Sequence, residues 1–149
     1  MKTLLLILFM YPSHIFAPPA AMSKQTVIQA WEFNFLSQPF TPALLKTALE
    51  IFVDKPAIAF AQARLETGDF TSRIWIENNN LFGMKPPKVR DNYVSGVNRN
   101  FAVYRHWFYS VLDYSEMQRY YYAKGFDHAE FLGIYCPEPT YKRRVNNLI

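Results

Sequence analysis

A single cysteine, Cys136, is the feature that most limits how this chain can fold. One cysteine cannot form an intramolecular disulfide, and it cannot supply the several thiolates of a cysteine-based metal site. The fold must therefore be stabilised by burying apolar side chains, and the 3 Trp, 10 Tyr and 13 Phe among 149 residues supply large ones. A chain of this length is expected to form one compact domain.

Other sites for metals, cofactors or nucleophiles have little support in the sequence. The three histidines, His14, His106 and His128, are scattered and share no helical ligand spacing. The sequence has no glycine-rich phosphate loop and no serine nucleophile elbow. Cys136 has no base close to it in the chain, so we expect an inert thiol. We therefore expect neither a metal nor a cofactor.

The amino terminus has the pattern of a secretory signal peptide. Lys2 precedes an apolar run over residues 4–10, and small residues follow. Residues 1–21 are the predicted signal peptide, and residues 22–149 are the predicted mature domain, which would be secreted, periplasmic or held in the cell envelope. Two alternatives stay open: a buried amino-terminal strand or helix, and translation from Met22, which would leave the protein in the cytoplasm.

Charge and hydropathy exclude some partners. The apolar run 4–10 is much shorter than the roughly 20 residues of a transmembrane helix, so we expect no stable membrane insertion. The net charge is +4, from 16 Lys and Arg against 12 Asp and Glu, and the basic residues form no block. Nucleic acid is therefore not an expected partner. We expect a monomer.

The first predicted helix begins at Pro42. Thr41 has the chemistry of an N-cap, and proline is favoured at the first helical position. The apolar spacing after it predicts a helix that ends near Val53. Its expected buried residues are Leu45, Ala48, Leu49 and Phe52.

The second predicted helix runs from Ala57 to about Glu66. Asp54 is its expected cap, and Gly68 is placed to take the left-handed conformation just beyond its end. The residues spaced for the core are Ile58, Ala61 and Leu65. The other face carries only small and polar side chains, namely those of Ala59, Gln62, Ala63 and Glu66. We expect that a bulky ligand can approach this second face.

The second half of the chain alternates turns with helical patterns. Residues 78–80 predict a turn, residues 85–100 a loop or hairpin, and the prolines at 86–87 prevent a helix there. Helical periodicity resumes at about Trp107, and a last short helix is expected after Pro139. The predicted fold class is α+β and mostly α, with a small β-hairpin lobe.

Glu66 is a candidate general acid. It is expected in the last turn of its helix, where the negative end of the helix dipole and partial burial both raise the pKa of a carboxyl group. A carboxyl that stays protonated near neutral pH can donate a proton to a leaving group. By position alone, a solvated glutamate at a helix end is the commoner case, so the neighbouring residues decide.

Two short motifs lie around this candidate acid. Residues 61–68 read Ala-Gln-Ala-Arg-Leu-Glu-Thr-Gly, and residues 79–85 read Asn-Asn-Leu-Phe-Gly-Met-Lys. Together they resemble the glucosaminidases of glycoside hydrolase family 73, which are bacterial and phage cell-wall hydrolases with a lysozyme-like fold. The similarity continues in residues 101–114 and 135–141, and it spans about residues 40–149.

The resemblance implies an endo-β-N-acetylglucosaminidase that hydrolyses the glycan strands of bacterial peptidoglycan. It assigns Glu66 as the acid that protonates the glycosidic oxygen, and Tyr135 as a tyrosine near the reacting sugar. The substrate-binding residues that it implies are Gln62, Asn79, Asn80 and Phe82. Simpler roles stay open for several of these residues: turn formation for the two asparagines, core packing for Phe82, and a structural role for Tyr135.

The sequence leaves the attacking group open. Many members of the family have a second acid in the hairpin after the Gly-x-Lys segment, often within Thr-x-Glu, and that glutamate is absent here. Asp91 is the only acid between Glu77 and Asp113, so it is the candidate base or nucleophile. In the alternative, the 2-acetamido group of the substrate attacks and Tyr135 orients it.

Two other functions fit the same motifs. A lytic transglycosylase needs one glutamate and no second carboxylate, whereas a non-catalytic glycan-binding module would keep the groove without turnover. The late motif also departs from the family pattern, since residues 136–139 read Cys-Pro-Glu-Pro in place of Ala-Thr-Asp-Pro. This difference is expected to alter the turn that presents Tyr135.

Overall fold

A computed structural model describes residues 24–149 of the chain, so the predicted signal peptide at residues 1–21 lies outside the described residues. Residues 34–149 form one compact unit. The described elements are α1 (Lys24–Leu36), α2 (Pro42–Phe52), α3 (Pro56–Thr67), α4 (Arg73–Asn78), β1 (Gly96–Asn98), β2 (Phe101–Val103), α5 (Trp107–Tyr122), α6 (His128–Tyr135) and α7 (Tyr141–Asn146). None of the helices described is long and apolar enough to span a membrane.

The first predicted helix is confirmed as α2. The Thr41 side chain accepts a hydrogen bond from the Leu44 N–H at 3.1 Å. Pro42 occupies the first helical position, where the missing N–H has no helical partner to lose. The predicted stripe faces inward: Leu45, Ala48 and Leu49 are fully buried, and Phe52 is half-buried.

The second predicted helix is confirmed as α3, but its predicted cap is wrong. Lys55 is the N-cap residue, in the left-handed region, and it makes no side-chain capping hydrogen bond. Asp54 lies one residue too early to cap, and its backbone N–H and C=O both bond the side-chain amide of Gln118 in α5. Gly68 ends the helix with a φ of 56°, as predicted.

The second face of α3 is buried along most of its length, so the expectation that a bulky ligand can approach it is wrong for most of its residues. Ala59, Gln62 and Ala63 have no exposed surface. Helices α2 and α7 pack against α3, and Tyr114 of α5 bonds the Gln62 side chain. Glu66 is the member of this face that remains partly exposed. Access to the face is therefore confined to the carboxyl end of α3.

The hairpin predicted within residues 85–100 is confirmed, although it extends slightly further. Strands β1 and β2 pair antiparallel, with Gly96 opposite Val103. The turn residues Arg99 and Asn100 have φ values of 53° and 65°, as a tight two-residue hairpin requires. The mostly helical α+β class is therefore confirmed, with this hairpin as the described sheet.

Helices α4 and α6 are not predicted by the sequence patterns considered above. Helix α6 begins with a capping box in which the Asp127 carboxylate accepts from the Glu130 N–H, and the Glu130 carboxylate accepts from the Asp127 N–H. Its last residue, Tyr135, is one of the candidate site residues. The short helix expected after Pro139 is confirmed as α7.

Candidate active site

Glu66 opens into a groove of about 440 Å³, which we call the Glu66 groove. Three residues of α5, namely Met117, Tyr120 and Tyr121, give it an apolar and aromatic lining. Aromatic rings of this kind are suited to packing against the apolar faces of sugars. Glu66 is the only carboxylate among the described residues that line it.

A chain of hydrogen bonds holds the Glu66 carboxylate from behind. The Tyr141 hydroxyl donates to Glu66 Oε1 at 2.8 Å. Tyr141 Oη accepts from Gln62 Nε2 at 3.2 Å, and Gln62 Oε1 accepts from the Tyr114 hydroxyl. Gln62, Tyr114 and Tyr141 are all buried. The carboxylate is thus oriented by a preorganised buried network, and Gln62 lies behind the groove wall.

The surroundings of Glu66 change its acidity. Burial raises the pKa of the Glu66 carboxyl above its ordinary value, because the charged form loses solvation. The hydrogen bond from Tyr141 and the positive charge of Arg144 each lower the pKa, by less than burial raises it. Glu66 therefore stays protonated to a higher pH than an exposed glutamate, which is the state that a general acid needs.

Gly83 lies directly against the carboxylate. Its φ is +59°, a conformation that residues with a Cβ rarely adopt. A Cβ at this position would lie 3.0 Å from Glu66 Oε2. Glycine is therefore favoured twice at position 83, by the backbone conformation and by the close approach to Glu66.

Asn79 and Asn80 form the turn after α4, and their side chains bond backbone groups. Asn80 Nδ2 donates to the carbonyls of Met84 and Ala102, both at 2.9 Å. Asn80 Oδ1 accepts from the Met84 N–H at 3.0 Å. Asn79 has a φ of 52°, and its Nδ2 donates to the Tyr104 carbonyl at 3.0 Å. The two asparagines thus attach the hairpin to the turn that carries the groove floor.

Phe82 and Tyr135 meet at the groove beside Glu66. Phe82 is 1% exposed and stacks on Tyr114, with 4.2 Å between ring centroids, so it is a core residue that also lines the groove. The Tyr135 hydroxyl donates to the Phe82 carbonyl. Burial, followed by the negative charge of Glu66, raises the pKa of Tyr135, so this phenol stays neutral.

Asp91 is exposed and does not line the Glu66 groove. It lines an adjoining groove of about 650 Å³, which shares with the first groove the residues Lys88, Val89, Arg90 and Tyr120. Arg90, its neighbour in the chain, pairs with Asp113. The structure therefore places Glu66 and Tyr135 in one groove and Asp91 in the next.

Tyr141 is a site residue that the sequence interpretation missed. It lies within the late motif, residues 135–141, in which the resemblance assigns a role to Tyr135 only.

In the described part of the chain, no three His, Cys, Asp or Glu side chains come together in a way that could hold a metal ion. Cys136 is a half-buried free thiol that lines the groove.

Comparison with known proteins agrees with the motifs. Residues 43–149 match the Glucosaminidase family, whose description is mannosyl-glycoprotein endo-β-N-acetylglucosaminidase. The chain belongs to this family. Membership in the Glucosaminidase family confirms the resemblance that the two motifs indicated, and it supports glycan hydrolysis of the family 73 kind. Neither a curated protein nor a solved structure matches the chain.

The matched range contains the whole Glu66 groove. It begins at Ala43, inside α2, and includes every residue that lines the groove, as well as the buried network behind Glu66. The part of the chain that is similar to the Glucosaminidase family is therefore the part that carries the candidate site.

Proposed function

We propose that this protein is an endo-β-N-acetylglucosaminidase that hydrolyses the glycan strands of bacterial peptidoglycan. One observation carries the proposal: a half-buried glutamate with a raised pKa, held by Tyr141, faces an aromatic groove in a member of the Glucosaminidase family. A protonated carboxyl in a groove that fits sugar rings is what cleavage of a glycosidic bond requires.

In this proposal Glu66 is the general acid. Its proton passes to the glycosidic oxygen as the bond from that oxygen to C1 of the sugar breaks. Tyr141 and Gln62 are positioning residues. Tyr141 bonds the Glu66 carboxylate, and Gln62 bonds the Tyr141 hydroxyl. Asn79 and Asn80 act less directly, by shaping the turn that carries Phe82 and Gly83 into the groove.

For the attacking group, we favour the 2-acetamido group of the substrate. Its carbonyl oxygen attacks C1, and the resulting ring is later opened by a water that gives its proton to Glu66. Tyr135 lines the same groove as Glu66, and its hydroxyl donates to the Phe82 carbonyl, which leaves its oxygen free to accept from the acetamido N–H. Asp91 is the alternative, as base or nucleophile, but it lines the adjoining groove.

A second candidate is a lytic transglycosylase. It is favoured by one observation, that Glu66 is the only carboxylate among the described residues lining its groove. In that reaction a hydroxyl of the substrate takes the place of water, and the products end in an anhydro sugar.

Digestion of purified peptidoglycan, with mass spectrometry of the products, tests the proposal. Hydrolysis is expected to leave strands that end in reducing N-acetylglucosamine. Products with an anhydro end would support the transglycosylase instead. Retained binding to peptidoglycan without release of any product would show a glycan-binding module and would overturn the enzymatic proposal.

Gly83→Ala is expected to lower the rate of glycan cleavage by about 10- to 100-fold, because the new methyl group displaces the Glu66 carboxylate. Gly125→Ala is the matched control. Gly125 also has a positive φ, of 89°, but a Cβ there would meet no atom within 4 Å. Both variants should lose stability from backbone strain, measured as the thermal midpoint. Equal activity in the two variants would contradict the role of Gly83.

We also propose export, since a peptidoglycan hydrolase meets its substrate outside the cytoplasm. The motivating pattern is Lys2 followed by the apolar run 4–10 and small residues. Amino-terminal sequencing of the protein from culture medium or periplasm is expected to find a first residue between Pro18 and Ser23. An intact Met1, or a cytoplasmic protein that begins at Met22, would refute export.

A further inference from the structure

One wall of the Glu66 groove is built from a segment without helix or strand. We call residues 85–92 the wall segment. Pro86 and Pro87 have no N–H to donate. Within the described residues, no backbone–backbone hydrogen bond joins the wall segment to any other part of the chain. Backbone hydrogen bonds to β2 hold the chain only just outside the wall segment. The Met84 carbonyl accepts from the Ala102 N–H, and the Ser95 N–H donates to the Val103 carbonyl.

The wall segment lines both grooves. Lys85, Pro87, Lys88, Val89 and Arg90 line the Glu66 groove, and the last three of these line the adjoining groove together with Asp91. A glycan that runs along both grooves would contact this one segment throughout. The position of the segment therefore sets the width of the binding surface.

Most side chains of the wall segment do not hold it in place. Lys85 and Lys88 are exposed, and Val89 is 74% exposed. Arg90 differs, because its side chain is 8% exposed. A long cationic side chain is rarely buried unless its charge is paired, so the burial of Arg90 needs a partner.

That partner is Asp113 of α5, which has no exposed surface. Arg90 Nη1 donates to Asp113 Oδ1 at 2.5 Å, and Nη2 donates to Oδ2 at 3.2 Å. The Tyr104 hydroxyl also donates to Oδ2, at 2.6 Å. Arg90 Nη1 additionally donates to the Asp91 carbonyl at 2.9 Å, so the same guanidinium fixes the backbone of the wall segment. We call these three side chains, Arg90, Asp113 and Tyr104, the Arg90 clamp.

In the Arg90 clamp the charges of Arg90 and Asp113 neutralise each other, and hydrogen bonds join all three side chains. The planar fork of the Arg90 guanidinium matches the two oxygens of a carboxylate. Burial, and then the charge of Asp113, raise the pKa of the Tyr104 hydroxyl, so it remains a neutral donor. Removal of Arg90 or of Asp113 alone would leave the other charge buried and unpaired, which is strongly destabilising.

We propose that Arg90 is a positioning residue whose buried ion pair with Asp113 holds the wall segment against α5 and thereby sets the geometry of the groove in which Glu66 meets its glycan. This inference rests on the proposed function, because it assigns the clamp a part in glycan binding. Arg90 itself acts through the wall segment and is not assigned to the reacting atoms.

NMR relaxation of backbone amides in the free protein tests the anchor without any substrate. In Arg90→Gln/Asp113→Asn, both charges are removed, so no unpaired buried charge remains to unfold the domain. Backbone order parameters of residues 88–92 are expected to fall from about 0.85, typical of a rigid backbone, to below about 0.6, while those of α2 and α3 are unchanged. The control is Arg73→Gln, which removes an exposed pair with Glu77 in α4 and should leave the wall segment unchanged.

Kinetics on solubilised glycan strands test the role in binding. The double variant is expected to raise KM by about 10-fold with kcat within about 3-fold of wild type, as for a loss of uniform binding. A contact that only stabilises the fold would lower the active fraction, and so the apparent kcat, with an unchanged KM. Arg90→Lys keeps the charge but cannot form the bidentate pair, and it is expected to show an intermediate KM.

Unchanged order parameters in residues 88–92, or an unchanged KM in the double variant, would overturn the inference. If the wild-type protein releases no product, the proposed function fails, and the relaxation experiment still decides whether Arg90 holds the wall segment.

Discussion

Glu66→Gln is expected to lower glycan cleavage by at least about 10²-fold, the typical effect of losing a general acid. Glutamine has the size of glutamate, and its side-chain oxygen can still accept the hydrogen bond from Tyr141. It cannot, however, give a proton to the glycosidic oxygen. The thermal midpoint should hardly move, because packing is unchanged. Release of reducing ends and thermal unfolding are the two measurements.

Glu50→Gln is a matched control for this variant. Glu50 is exposed on α2, and it does not line the Glu66 groove. The same chemical change at position 50 is therefore expected to leave activity intact. If Glu66→Gln turns over at the wild-type rate, Glu66 is not the acid.

The pH profile gives a second check on the same residue. The active form of a general acid is protonated, so activity should fall as the pH rises through the pKa of Glu66. Tyr141→Phe removes a hydrogen bond that lowers this pKa. The alkaline limb of the profile is therefore expected to move to higher pH in Tyr141→Phe, while Arg144 and Tyr135 remain in place around the carboxyl.

The helices that the sequence predicted best are those whose ends carry strong local signals. Helix α2 has an N-cap and a proline at its first position, and α3 has Gly68 at its end. Helix α4 is only six residues long, too short to show a periodic pattern. Helix α6 contains Gly133, which weakens a helical prediction, although Asp127 and Glu130 are a capping box that can be recognised in the sequence.

The site was predictable where chemistry depends on one local motif, and less so where it depends on tertiary contacts. Glu66 lies at a helix end that the motif marks directly. Gln62 lies one turn earlier, and its burial follows from Tyr114 and Tyr141, which are distant in the chain. Spacing on α3 alone cannot show these contacts to Gln62, so the open face predicted for α3 was wrong.

The ion pair of Arg90 with Asp113 illustrates the same limit. Asp91 directly follows Arg90 and is the nearest carboxylate to it in the sequence. In the structure Arg90 reaches across to α5, because a buried carboxylate needs a partner more than an exposed one does. Which acid a given arginine neutralises is decided by burial, and burial is a property of the folded chain.

Two conservative variants, Tyr135→Phe and Asp91→Asn, are expected to distinguish the two possible attacking groups. If the acetamido group attacks, Tyr135→Phe should be the damaging change, because it removes the hydroxyl that orients the acetamido group. Asp91→Asn should then cost only a few-fold. If Asp91 is the base or nucleophile, Asp91→Asn should instead lower turnover by about 10² to 10⁴-fold, since an amide can neither take a proton nor stabilise the developing positive charge.

The grooves favour the first outcome. Tyr135 shares the Glu66 groove, whereas Asp91 is exposed and lines the groove beyond it. A catalytic carboxylate must be held to within about half an ångström, and an exposed loop residue does not meet that demand easily.

Both variants should be assayed on the same peptidoglycan, and the anomeric configuration of the first product should be read by NMR. Retention is expected from acetamido attack, so inversion would eliminate that route. An inactive Asp91→Asn beside a fully active Tyr135→Phe would transfer the attack step to Asp91.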